Sequence, residues 1–263
     1  MSSPDRHPLI VKIGGSALDR LPSRWWDDLA DVACDEPVVC VHGWSRQLAA
    51  HQRARGRAPE FLVDQHGHRS RLTTPEVLAD IRAVAAGVRV RIARRLRQRD
   101  LRVGTCSGED DLLTAESRRQ LWWREGRLER LTNLVGPVRE VNAERFSARL
   151  RDVDALVLTP LARDRRHGAV NTDGDRAAAC VAAALGAADL LLVTDVSHVM
   201  DDVRRLHQLR QDELEATARS AGGGMRKKLR AAAEALEGGV SRVHIGNAPP
   251  RALLAGEGTT VAS

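Results

Sequence analysis

Short runs of apolar and β-branched residues alternate along this chain with longer stretches in which apolar side chains recur every three or four positions. The runs at 9–13, 37–41, 101–103, 155–159, 189–194, 242–245 and 259–261 are too short for helices, and their near-continuous hydrophobicity predicts strands buried on both faces. Helical spacing marks 25–34, 46–55, 75–99, 176–185 and 225–236. The longest of these aligns Val77, Leu78, Ile81, Val84, Val88, Ile92 and Leu96, and the last is stopped by Gly238-Gly239. Residues 61–72 read as a β-hairpin with Gly67 in its turn, and 112–121 as helical or irregular. Residues 127–138 and 142–151 suit a strand pair and a short helix. Buried strands separated by helices predict an α/β protein with a largely parallel sheet covered on both faces, a three-layer αβα sandwich. No repeat, low-complexity tract or linker divides the chain, so one domain over 1–263 is expected.

Composition narrows this picture. Of 263 residues 43% are hydrophobic, but there are five Trp, two Phe and no Tyr, so Ala, Leu and Val must build the core. The net charge is +6 and arginine supplies nearly all the positive charge. That balance has two readings: an arginine-rich base composition without functional cause, or an acidic macromolecular partner. Cys34, Cys40, Cys106 and Cys180 lack C-x-x-C spacing, which argues for a reducing compartment and against a zinc ribbon or a disulfide framework. No apolar targeting core or bilayer-length run is present, so a cytoplasmic protein is expected. No zinc-finger spacing or aromatic RNA-binding motif points to nucleic acid.

The chemistry collects where strands end and helices begin, which is where open α/β sheets bind ligands. Lys12-Ile13-Gly14-Gly15-Ser16 leaves the first strand, His42-Gly43-Trp44-Ser45 the second, and Gly104–Gly108 a later one. Gly222-Gly223-Gly224-Met225-Arg226-Lys227-Lys228 opens a helix. Glycines there let backbone N–H groups approach phosphate oxygens. Val170-Asn171-Thr172-Asp173-Gly174-Asp175 runs into another helix and reads either as an Asx-type cap or as carboxylates that fix a lysine or metal beside a phosphate. Neither a P-loop nor a G-x-G-x-x-G fingerprint occurs.

Together these segments resemble the amino-acid kinase family, in order and over essentially the whole chain: Val11–Gly15, Val41-His42-Gly43, Ser107-Gly108, Asn171–Asp175, Thr194-Asp195-Val196, Gly224–Lys228 and Gly258-Thr259. Within it, Ser70-Arg71-Leu72-Thr73, Asn171–Asp175 and Gly256–Thr259 are similar to the acetylglutamate kinase branch. They are closer still to kinases acting on glutamate or aminoadipate attached to an acidic amino-group carrier protein, as in lysine biosynthesis. The resemblance implies ATP-dependent phosphorylation of a carboxylate, with Mg²⁺ on the nucleotide and no dedicated protein metal ligands. It also implies a substrate lobe near 8–160, an ATP lobe near 161–263, and a homodimer through the long helix. Free N-acetylglutamate is the alternative substrate, and a non-catalytic nucleotide-binding regulator a third reading.

By the same resemblance Lys12, Asp175 and Lys228 are catalytic, with Lys228 favoured over the adjacent Lys227. Gly43, Trp44, Ser45, Arg71 and Asn171 would bind substrate. Gly14, Gly15, Thr194, Asp195, Gly224 and Met225 would border ATP. Backbone N–H groups of Gly14, Gly15 and Gly43 are expected on the phosphoryl oxygens. An acceptor carboxylate is already ionised at neutral pH, so no general base is required. Arg53, Arg55, Arg57, His66, His68 and Arg69 are candidate carrier-docking residues, and Trp122-Trp123 packing or interface residues. Two positions depart from the family pattern: Trp44 stands where a second glycine is usual, and His198 where acetylglutamate kinases commonly have glycine.

Overall fold

The computed structural model describes residues 7–263 other than 66, 68, 118, 119 and 125, with the side chain of residue 120 also left aside. The framework runs β1 (Leu9–Ile13), α1 (Ser23–Asp35), β2 (Val38–His42), α2 (Ser45–Ala54), α3 (Pro75–Arg97), β3 (Val103–Ser107), α4 (Ala143–Leu150), β4 (Ala155–Thr159). It continues α5 (Gly174–Ala184), β5 (Asp189–Val193), β6 (Gln208–Arg210), α6 (Leu214–Ser220), α7 (Gly223–Glu237), β7 (Arg242–Gly246), α8 (Pro250–Leu254) and β8 (Thr259–Ala262). These strands form an eight-stranded sheet in the order β6-β8-β7-β5-β1-β2-β4-β3. Every neighbouring pair is parallel except β7–β8.

Parallel strands joined through helices need cover on both faces, and every residue of β1, β2 and β4 is buried. Helices α1, α3 and α8 pack together as one layer, and α5, α6 and α7 as the other. Strand β1, between β5 and β2, ends at the middle of the sheet's C-terminal rim, which puts the Gly14-Gly15 turn where ligands bind.

Small residues set how closely the second layer packs. Helix α5 buries Ala177, Ala178, Ala179 and Ala182, while α7 buries Ala231, Ala232 and Ala235. A Cβ on Gly238 would fall 2.5 Å from that of Ala183, so the end of α7 admits nothing larger than glycine. Helix α3 starts at Pro75, with the Thr74 hydroxyl accepting from Val77 N–H at 3.3 Å, an N-cap and N1 proline in register.

The hairpin expected at 61–72 forms from Phe61–Asp64 and Arg69–Arg71, with Gly67 at φ +79°. Three readings need correction. Among the described residues of 112–121, expected to be helical or irregular, there is no helix; Leu113–Ala115 and the start of Gln120–Arg124 are strands. They pair with Val138–Val141 and Phe61–Asp64, so cross-strand partners far along the chain override local spacing. The strand expected at 101–103 lies at Val103–Ser107, where alignment with β4 outweighs its glycine and polar residues. The helix expected from 225 starts two residues earlier, so Gly223, Gly224 and Met225 form the first turn of α7.

Two smaller sheets flank the rim. One runs in the order Gly168–Asn171, Leu161–Asp164, Leu113–Ala115, Val138–Val141. The other runs Arg69–Arg71, Phe61–Asp64, Gln120–Arg124, Arg127–Leu131. Among the described residues no helix is long and apolar enough to cross a membrane.

Candidate active site

Asp173 caps α5 with its own side chain, accepting from the backbone N–H of Asp175 at 3.0 Å and of Arg176 at 3.4 Å. That cap orients the first turn so that Asp175 points inward to the end of β1. There Lys12 Nζ lies 2.7 Å from Asp175 Oδ1. Lys228 Nζ, from the second turn of α7, lies 3.0 Å from Oδ1 and 3.2 Å from Oδ2. All three side chains are buried. The close α5–α7 packing is what brings these two helices near enough for the contact.

Two buried cations share one carboxylate, leaving a net positive charge at the rim. Burial alone would raise the Asp175 carboxyl, but Lys12 and Lys228 together hold it well below the usual range. Burial and the Lys12 charge push the Lys228 ammonium down, and Asp175 only partly opposes them. Such a cluster can accept an anion without rearranging its own charges.

Of the chain's 41 basic residues only Lys12, Lys227 and Lys228 are lysine. The third also sits here: Lys227 Nζ is 3.2 Å from Asp173 Oδ2, on the exposed side. Sequence reasoning weighed Lys227 against Lys228 by alignment and passed over this signal, which sets all three apart from an arginine-dominated surface.

The glycine loops are brought together, but their N–H groups do not all face outward. Gly14 N–H donates to Val193 O at 3.1 Å and Gly43 N–H to Ile13 O at 2.9 Å, so neither is free for a phosphoryl oxygen. This corrects the expectation for those two glycines; their role is close approach. A Cβ on Gly43 would stand 3.1 Å from Gly15 N, and one on Gly15 would stand 3.2 Å from Ser45 N and 3.3 Å from Trp44 N. Gly15 O accepts from Gln47 Nε2 at 3.0 Å, which ties the first loop to α2. Helix α2 starts beside Gly15 with no side-chain cap, and α7 starts at Gly222, also uncapped and open around Gly222, Gly223 and Gly224. Met225 packs against the core beside that opening. Uncapped helix starts offer N–H donors and a positive dipole end to anions.

Trp44 has a negative φ of −142°, so the indole stands without the left-handed backbone that would require the glycine expected at this position. Its ring is buried and packs edge-on to His42 at 5.8 Å. His42 Nε2 meets Thr159 Oγ1 at 2.9 Å, and Arg89 donates to the same hydroxyl at 3.3 Å. Burial, with repulsion from Arg89 and Lys12, lowers the His42 imidazole to about 3 against a backbone contact at Gly43 that raises it, so it is neutral. Thr194 N–H donates to Gly246 O at 2.9 Å, its hydroxyl reaches Asp195 at 3.3 Å, and Arg20 lies 3.8 Å from Asp195. His198 is buried against His207, 3.2 Å between ring nitrogens.

Arg71 donates to Gln52 Oε1 at 2.8 Å and lies 4.9 Å over the Phe61 ring. Asn171 donates to Thr73 Oγ1 at 3.4 Å. Between them sits Asn133, which sequence reasoning missed: buried, it accepts from Thr73 N–H at 2.7 Å and donates to Arg71 O at 3.2 Å. The Asn133 amide thus ties the 71–73 segment to 133–134, and Asn171 joins the same segment through Thr73 Oγ1 and Leu134 O. Arg55 and Arg57 lie 3.6 and 2.7 Å from Asp80; His66 and His68 lie outside the described residues.

Comparisons with known proteins show the family and the fold. The profile of the Amino acid kinase family matches residues 8–247. A protein of Aeropyrum pernix, provisionally named a LysW-aminoadipate/LysW-glutamate kinase, is 34% identical over 96% of each chain. The LysW-aminoadipate/LysW-glutamate kinase of Sulfolobus acidocaldarius is 28% identical over 96% of this chain and 99% of its own. N-acetylglutamate synthase of Neisseria gonorrhoeae, solved with coenzyme A and N-acetyl-glutamate, superposes with a TM-score of 0.79 at 26% identity, covering 98% of this chain and 59% of the synthase. Carbamate kinase of Giardia lamblia shares the fold, with a TM-score of 0.68 at 16% identity over 97% of this chain and 98% of its own. The chain belongs to the amino acid kinase family and is an ATP-dependent phosphotransferase acting on a carboxyl group.

Proposed function

We propose that this enzyme phosphorylates the side-chain carboxylate of glutamate or aminoadipate held on an acidic amino-group carrier protein. The observation that carries the chemistry is the buried Lys12–Asp175–Lys228 cluster, two cations on one carboxylate. In-line attack of a carboxylate oxygen on the γ-phosphorus forms the acyl O–P bond, breaks the bond to the bridging oxygen, and releases ADP. Like charges must approach, so positioning and charge stabilisation supply most of the acceleration. Lys12 and Lys228 hold the transferring phosphoryl group from two sides, and Asp175 fixes both ammonium groups. The N–H groups at the starts of α2 and α7 and the Gly15 turn receive phosphate oxygens. Thr194, Asp195, Gly224 and Met225 border the nucleotide.

Mg²⁺ would neutralise phosphate charge. Asp173 and Asp175 are each paired with lysine, so the donor set suits an ion carried by the nucleotide phosphates. Arg71 and Asn171, joined through Asn133, would orient the substrate's polar groups. The carrier-bound substrate is supported by the LysW-linked names of relatives that align over nearly the full length. Free N-acetylglutamate is the second reading, suggested by a synthase solved with N-acetyl-glutamate that shares this fold over 59% of its own length. Hydroxylamine trapping of the acyl phosphate decides between them. Hydroxamate should form with carrier-linked glutamate or aminoadipate, and turnover of free N-acetylglutamate alone would overturn the proposal.

A further inference from the structure

The flanking sheet that contains Arg71 has one face turned inward and one left open. Leu62, Asp64 and Trp122 are buried on the inner face. Strand register puts Val63 opposite Trp123, Trp123 opposite Leu128, and Phe61 opposite Arg71 on the outer face. There Phe61, Trp123 and Leu128 are 38%, 48% and 42% exposed, three of the seven large apolar side chains that stand exposed among the described residues. Side chains alternate along a strand, so Arg69 and Arg130 share this face. The Arg69 guanidinium lies 3.8 Å over the Phe61 ring and Arg71 4.9 Å over it, which holds both cations in place before any partner arrives. Among the described strand residues on this face none carries a carboxylate.

An apolar centre of aromatic residues edged by ordered arginines is the composition of a protein-binding hot spot, and its charge selects an acidic partner. The same sheet connects to the site through Arg71 O, Asn133 and Thr73. We infer that this outer face, centred on Phe61, Trp123 and Leu128 and edged by Arg69, Arg71 and Arg130, docks the acidic carrier protein that bears the substrate. The inference rests on the carrier-linked reading above and adds where the carrier sits. Apolar side chains of the carrier cover the Trp123 and Leu128 surface while its carboxylates meet the arginines.

The test uses Trp123→Ala and Arg130→Glu, singly and combined, since both residues are exposed and neither belongs to the substrate or nucleotide machinery. The double variant should raise the KM for glutamate-loaded carrier about tenfold or more, with kcat and the KM for ATP unchanged. A carrier KM within about twofold of wild type would overturn the assignment. If wild type turns over only free N-acetylglutamate, the substrate reading fails, and the surface is judged by calorimetric titration with the acidic carrier protein itself. Binding by wild type that is lost in the double variant supports the face; no binding, or equal binding by both, refutes it.

Discussion

Lys228→Met separates the stability of the site from its chemistry. Lys228 lies 3.0 Å from Asp175 Oδ1, an attraction of about 5 kcal/mol at an effective dielectric of roughly 20. Lys12 holds the same oxygen at 2.7 Å, so the two ammonium groups are at most roughly 6 Å apart and repel by about 3 kcal/mol. Burying the Lys228 ammonium costs several kcal/mol more. The attraction is therefore cancelled or exceeded, consistent with the downward displacement of the Lys228 ammonium. Replacing the charge with an apolar side chain of similar length leaves a balanced Lys12–Asp175 pair. The melting temperature should stay level or rise, while kcat for hydroxamate formation falls about 100- to 1,000-fold. Asp175→Asn is the opposite case, leaving two buried cations without a counter-ion. It should cost about 3–5 kcal/mol, a fall on the order of 10 °C in a chain this size. Scanning calorimetry reads both. A Lys228→Met protein that melts well below wild type would refute the charge balance, and one retaining a tenth of wild-type kcat would remove Lys228 from the transition state.

Three further outcomes rest on particular contacts. Lys227 is half-exposed on Asp173, so Lys227→Ala should keep stability within about 1 kcal/mol and most of the turnover, and a loss as deep as that of Lys228→Met would exchange their roles. Gly15→Ala puts a methyl 3.0–3.3 Å from Gln47 Oε1, Ser45 N and Trp44 N; kcat/KM for ATP should fall about tenfold or more with the melting temperature nearly unchanged, and normal kinetics would show that the Gly15 turn touches no phosphate. His42 is neutral when folded, with its imidazole at about 3 against about 6.5 when unfolded, so the unfolded chain gains a proton first as pH falls. The stability present above pH 6.5 should decline by about 1.4 kcal/mol per pH unit from roughly pH 6.5 towards 3. Urea titrations at pH 7 and 5 should therefore differ by about 2 kcal/mol more in wild type than in His42→Gln, and equal differences would show that His42 is not the titrating group.

Much of the framework is legible because burial on both faces leaves a strong trace: β1, β2, β4 and β5 are apolar runs with one possible environment. Val103–Ser107 is displaced from its expected position because glycine and polar residues in a strand are specified by the neighbour and not by their own pattern. The flanking strands fail for a related reason, since Gln120–Arg124 is held between the neighbouring Arg127–Leu131 and Phe61–Asp64, nearly 60 positions earlier, and neither partner shows in its own spacing. In the site, Lys12, Asp175 and Lys228 are legible through the resemblance of their segments to the family and not through periodicity, since Asp175 alone reads equally well as part of a helix cap. Asn133 and Thr159 are not legible, since an isolated amide or hydroxyl has no periodicity to announce it. The outward or inward aim of the Gly14 and Gly43 N–H groups depends on Val193 O and Ile13 O, two carbonyls whose positions only the finished fold supplies.

The choice of lysine itself carries an argument. A chain with arginine at all but three of its 41 basic positions has no general need for lysine, yet all three gather at Asp173 and Asp175. A guanidinium would meet Asp175 as a planar fork, with two parallel bonds that occupy both carboxylate oxygens. An ammonium makes the same contact through one proton and keeps others for a phosphoryl oxygen. Lys12 and Lys228 can therefore share Asp175 Oδ1 and still face an incoming phosphate. The α5–α7 alanine contact, the Asp173 cap and the two lysines act as one device, in which close backbone packing confines a surplus positive charge that, on the proposed function, a nucleotide would balance.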